Sequence, residues 1–413
     1  MASNSSLQDI IFSLPIIDTH AHIRKWADIP QPVTGYTLLN SSANLRMCWA
    51  AAGALSRQEF RQGKSFLDWP SLSCAIEQIK ATAYYRIILD GLKNLFDIDF
   101  DELDEESFNA LGMKLSIANQ DSSWYSTMLK EKSGFTITCQ DTRSKEDRSL
   151  FAEVARMDAY VLFGQKGWAD SIIQKHGEDQ TSTISALTDC LRKDFQEIVN
   201  NGAVAIKSNN CWTRTLEYEH VETGAAENAL AECITNQTSA NSAKILGDYM
   251  MDMIAKLCAE YDIPLQIHTG PAGGTDHIIQ YGNPLNLNSI ILRNPTTKFC
   301  IFHAGGPFVR ECCSLATQYP NVYLDLCGVL GRDSLKRILD DWIEYVPQGK
   351  LMWGTDVHMV EESYAISQSF RQILSEFLIS RVQQGYFSQS TAESFAKGIL
   401  ADNARRILRL PTT

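Results

Sequence analysis

No apolar run in this chain approaches the ~20 residues needed to cross a bilayer, so a transmembrane helix is not expected. Long basic runs are missing too. With 37 Lys+Arg against 49 Asp+Glu the formal charge is −12, which argues against a nucleic-acid or anionic-membrane partner. The eleven cysteines form no CxxC pair, and several (Cys139, Cys258, Cys300) sit inside apolar runs. An odd, unpatterned count of this kind points to free thiols and cytoplasmic residence rather than a disulfide framework. Met1 to Pro15 has no positive region ahead of its short apolar segment, and Asp9 interrupts it, so a secretory signal is not expected. Internal repeats and low-complexity stretches are also lacking.

The 413 residues suffice for two average domains or for one elaborated α/β barrel, and a 44% hydrophobic content predicts a large core. Eight strand-like segments stand out: Ile16–Ile23, Gly134–Gln140, Ala159–Phe163, Ala203–Ser208, Pro264–Thr269, Lys298–His303, Asn321–Cys327 and Lys350–Asp356. Most are continuously apolar, as in parallel strands covered on both faces, and helical patterns separate the later ones. The expected fold is α/β: a (β/α)8 TIM barrel with a large helical insertion after the first strand, residues 1–413 forming one domain. The insertion is expected over residues 26–132, where Leu72, Ile76, Ile79, Ala83, Ile87, Leu92 and Leu95 recur at three-to-four spacing after Pro70. A separate N-terminal helical domain fits less well, because a strand precedes this stretch. A capping box at Ser390-Thr391-Ala392-Glu393 predicts the start of the last helix.

The chemistry begins at Asp18-Thr19-His20-Ala21-His22. A strand has a side-chain period of two, so both imidazoles leave one face and can grip a single cation. Further polar residues end their own apolar segments: Lys207, His268 and His303 (the last two followed by glycine turns), and Asp356. Strand C-termini are where catalytic side chains converge in such barrels. Each has a plainer alternative: a structural hydrogen-bonded His, a helix N-cap for Asp356, a salt bridge for Lys207. His176, His220 and His277 lie in polar contexts and read as surface. His358 and Arg214 are candidate substrate contacts, Arg214 as a carboxylate clamp or equally a salt bridge. Trp26, Arg86, Trp212 and Tyr125 are candidates for pocket specificity.

His-x-His on the first strand, Lys on the fourth, His on the fifth and sixth and Asp on the eighth resemble the amidohydrolase superfamily. Their strand contexts look most like its amidohydrolase-related branch. The long insert is similar to that of uronate isomerases, and His-Thr-Gly-Pro-Ala-Gly-Gly with a retained Lys207 looks nearer to nodulin-like members. The resemblance implies one or two ions of Zn2+ or another divalent transition metal on His20, His22, Lys207, His268, His303 and Asp356, with a carboxylated Lys207 bridging where two are bound. It implies a metal-dependent hydrolase that cleaves a small amide, lactone or related C–N or C–O bond with metal-activated water. Asp356 would act as general base then acid, and His303 would bind a second ion or an oxyanion. A metal-dependent decarboxylase or uronate-type isomerase is the alternative, and a non-catalytic metal-stabilised scaffold the lesser one. A small-molecule substrate is expected, with homo-oligomerisation left open.

Overall fold

The computed structural model describes residues 6–99, 101–141, 147–235, 238–271 and 276–411; Ala272, Gly273 and Gly274 of the glycine-rich turn lie outside them. Eight parallel strands follow one another in chain order: β1 (Ile16–Ala21), β2 (Phe135–Asp141), β3 (Phe151–Arg156), β4 (Ala203–Ser208), β5 (Leu265–Ile267), β6 (Phe299–Ile301), β7 (Val322–Asp325) and β8 (Leu351–Met352). The sheet returns on itself through backbone bonds from Thr19 N to Trp353 O (3.3 Å), Asp356 N to His20 O (2.8 Å) and His22 N to Val357 O (2.8 Å). The architecture is the (β/α)8 TIM barrel.

One strand was expected in the wrong place. Ala159–Phe163 does not form β3; it lies in and just after a short helix, Asp158–Val161. Tyr160, Val161, Leu162 and Phe163 are all buried, and a short apolar run cannot by its periodicity be told from a buried helical turn. The true β3 carries Glu153 and Arg156, so it lacks an unbroken apolar signature.

Ile17, Cys139, Val154, Ala205, Cys300 and Met352 fill the barrel, and Ala404, Ile407 and Leu410 pack onto the same cluster from the C-terminal segment. Asn403 Nδ2 donates to Leu351 O (2.8 Å) at the start of β8, so this segment closes the end opposite the strand C-termini. Two caps differ from the sequence reading. The Leu72–Leu95 pattern divides into helices Trp69–Ile79 and Ala83–Phe96, because Thr82 caps the second through Tyr85 N (3.4 Å). The final capped helix starts at Gln389, with Ser388 rather than Ser390 accepting from Thr391 N (3.2 Å).

Candidate metal centre

The end of β1 and its continuation carry His20 and His22 on one face, as the strand period requires. Asp356 follows β8 with left-handed backbone (φ 58°). That conformation is costly for a non-glycine residue and turns its carboxylate back toward β1. Asp18 pins the two strand ends by accepting from Thr355 N (2.8 Å) and Thr355 Oγ1 (2.7 Å). His20 Nε2 and His22 Nε2 are 3.2 Å apart, and Asp356 Oδ1 lies 3.3 Å from His22 Nε2 and 3.9 Å from His20 Nε2. Two nitrogens on one tetrahedral zinc, with bonds of 2.0–2.1 Å, sit about 3.3–3.4 Å apart, so this donor set fits a shared ion.

His268 is not part of that triple. Its Nδ1 faces His303 Nε2 at 3.0 Å. Each ring is anchored by its outer nitrogen, His303 Nδ1 to Cys327 O (2.6 Å) and His268 Nε2 to Pro271 O (3.1 Å). A neutral imidazole has one proton, and a carbonyl takes it in both rings, so two lone pairs face each other. Such an arrangement is unfavourable without a cation between them, and it fits a second ion. It also disfavours His303 as an oxyanion donor, since its proton points away. His303 shares the left-handed backbone of Asp356 (φ 62°), and its donor atom lies within 4.8 Å of those of Cys327 and Asp356.

Burial holds most of these rings neutral. It pushes His20 and His268 well below the usual histidine value, aided by Lys207 for His20 and by His303 for His268. It pushes His303 and His358 down to about 4. At Asp356 burial opposes ionisation, but the hydrogen bond to His22 overcomes it and holds the carboxyl well below its usual range. His22 moves up in turn, Asp356 outweighing burial. Lys207, at the end of β4, is fully buried, and burial lowers its pKa. Its Nζ has no hydrogen-bond partner and lies 3.6 Å from the centre of the Phe302 ring.

These groups floor a cavity of about 570 Å3, the size of a small-molecule site. Its wall includes His358, stacked on His22 with ring centres 5.2 Å apart, and Trp212. The helices between β1 and β2 supply Asn44, Arg46, Met47, Phe60 and Tyr84.

Several expected residues lie elsewhere. Arg214 does not reach the cavity: its guanidinium is bound to the buried carboxylate of Asp248 and donates to Glu217 O (3.1 Å), a structural ion pair. Trp26 donates to Asn119 O (3.2 Å), Arg86 pairs with Asp90 on the surface, and Tyr125 donates to Arg24 O. His176 is not a surface residue. Its side chain is 6% exposed and meets Asp194 at 2.9 Å. His277 is half-buried, with Nδ1 2.8 Å from Trp212 O. Asp141 and Arg156 were not anticipated. Asp141 Oδ2 is 3.5 Å from His20 Nε2, and Arg156 Nε lies 2.9 and 3.0 Å from its two oxygens. Asp141 stands one residue past the expected end of the second strand, where it could have been noticed; Arg156 was hidden by the misplaced third strand.

Residues 238–410 match the family model described as Amidohydrolase. Over 446 aligned residues the chain is 26% identical to Protein fluG of Emericella nidulans, covering 99% of the chain and 47% of that protein. It therefore spans about half the length of the curated relative it matches. The uronate isomerase of Thermotoga maritima superposes with a TM-score of 0.80 at 16% identity, covering 97% of this chain and 96% of that one. The glucuronate isomerase of Caulobacter crescentus does so at 0.80 and 15%, covering 98% and 94%. At such identities these two likenesses speak to the fold alone. The C-terminal part of the chain, residues 238–410 with His268, His303 and Asp356, thus matches the amidohydrolase family, and the whole chain folds as the (β/α)8 barrel.

Proposed function

We propose that this chain is a metal-dependent hydrolase that cleaves a small amide, lactone or related C–N or C–O bond. The observation that carries the reading is the convergence of His20 Nε2, His22 Nε2 and Asp356 Oδ1, 3.2 to 3.9 Å apart, on the floor of the cavity. A divalent transition metal such as zinc, when bound there, supplies Lewis acidity and lowers the pKa of water. His20, His22 and Asp356 would hold one ion, and His268 with His303 a second.

The remaining steps belong to the side chains. Asp356 stays ionised at neutral pH, so it accepts a proton from the attacking water and returns it to the leaving group. Asp141, neutralised by the Arg156 fork, steadies the imidazoles of His20 and His22. His358 presents a neutral ring to the substrate beside His22. The helices between β1 and β2 form part of the cavity wall. Residence in the reducing cytoplasm accords with all eleven cysteines being free.

The test is turnover in 18O-labelled water over a panel of small amides and lactones. Label in the new carboxylate is expected. Carbon dioxide release or an isomer without label would transfer the assignment to a lyase or isomerase, and metal retention with no turnover to a scaffold.

A further inference from the structure

The cavity lining has a charge balance opposite to that of the chain. The protein carries −12 overall, yet the lining holds Arg24, Arg46, Arg156 and Lys207 against one carboxylate, Asp356. Arg156 is neutralised by Asp141, and Lys207 sits on Phe302 at the floor. Arg24 and Arg46 are different: among the described residues, neither has an acidic partner.

Both are positioned by the fold rather than left to wander. Arg24, two residues past His22 and itself exposed, lines the same cavity. Its backbone is fixed at both ends, N–H to His358 O (3.0 Å) and carbonyl from the Tyr125 hydroxyl. Arg46 comes from helix Ala43–Ala51 of the insertion and is held by Lys64 O (2.7 Å) and Phe60 O (3.3 Å), its guanidinium carbon 5.6 Å from the Phe60 ring centre. Two of its five N–H groups are used, and the rest remain available. The Arg46 guanidinium is depressed below its usual value by burial and by the charge of Arg24, so the two cations feel each other. Two guanidinium groups that line one cavity without an acidic partner offer an anion charge-assisted hydrogen bonds from both sides.

We infer that Arg24 and Arg46 form an oxyanion subsite, and that the substrate carries a carboxylate or phosphate tail about two strand residues, roughly 7 Å, above the group that reacts at His22 and Asp356. The inference rests on the metal-dependent reading for which end of the substrate reacts, but the subsite itself does not need it. One cation belongs to the barrel and one to the insertion. An anion between them therefore ties the insertion to β1, which makes the insertion a determinant of specificity.

Titration calorimetry of the full chain with succinate, inorganic phosphate and the neutral analogue succinamide tests this. Saturable binding of succinate or phosphate is expected, the tighter of the two naming the anion, with succinamide at least tenfold weaker. R24Q and R46Q should each weaken the anion about tenfold, the worth of one charge-assisted pair, with circular dichroism and metal content unchanged. The same titration on His20→Ala/His22→Ala separates the two readings. Arginine-dependent binding that persists there keeps the subsite whatever becomes of the hydrolase. Equal binding in the R24Q/R46Q double variant, or by succinamide, overturns the inference, as does the absence of saturable binding by either anion.

Discussion

Asp356 and His303 reach each other across Gly328, where an added Cβ would lie 2.9 Å from Asp356 Oδ2 and 3.3 Å from His303 Nδ1. At this scale the chemistry is set by single atoms. Asp356→Asn keeps the shape and one oxygen but removes the proton acceptor, so kcat should fall by ~10²–10⁴-fold with metal retained. Joint loss of metal and turnover, read by elemental analysis, would make Asp356 a ligand only. Replacing both His20 and His22 by Ala should remove metal from a protein that otherwise carries roughly one to two ions per chain. Lys207 is the other decisive residue. A buried amine below its usual pKa and without a partner is the form that adds carbon dioxide. Carboxylation of Lys207 is the expected outcome, with Lys207→Ala losing the second equivalent of metal while the fold persists. Unchanged metal content would leave an ordinary amine.

Elements meet at the site through buried polar groups, and these give the junctions their pH dependence. Glu362, in the first turn of helix Val360–Gln383, accepts from His358 N (3.2 Å) and Met359 N (3.1 Å). Burial nevertheless pushes its carboxyl up to about 7, from an ordinary 4.5. The folded state thus holds this proton more tightly than the unfolded chain. Its contribution is full below pH 4.5 and is lost as pH rises through about 7, a loss of about 3 kcal/mol for such a shift. Glu362→Gln should flatten that loss in denaturant titrations at pH 5 and 8; an unchanged slope would place the titration elsewhere. Gly354, between β8 and Asp356, has a steric role, because a Cβ there would lie 2.5 Å from Thr19 Oγ1 and 3.0 Å from His20 N. Gly354→Ala should part the β1 and β8 ends, costing ~1–3 kcal/mol of stability and weakening metal retention together.

For the whole molecule, the ligands come from strands far apart in sequence, so an ion bound to them binds only the folded chain. Excess zinc should therefore raise Tm, by about 2.7 kcal/mol of stability at a hundredfold excess over Kd, and a chelator should lower it. The His20→Ala/His22→Ala variant should lose most of that response. A response of equal size in the variant would move the stabilising ion to another place.

The sequence alone determined the fold class, the His-x-His pair and the strand-end positions of Lys207, His268, His303 and Asp356. These depend on local pattern: apolar runs mark buried strands, a period of two puts His20 and His22 on one face, and polar residues at run ends mark the barrel mouth. Only the tertiary structure decided which of them meet. It set His268 Nδ1 against His303 Nε2, with the outer nitrogen of each ring at a carbonyl. It withdrew Arg214 to Asp248, set Asp141 beside His20, and brought Arg24 and Arg46 to the cavity wall. Partner choice is a long-range matter. A side chain's ionisation, its proton's position and its counter-charge are set by neighbours on other elements, 35 residues away for His268 and His303 and 34 for Arg214 and Asp248, and no local periodicity encodes them.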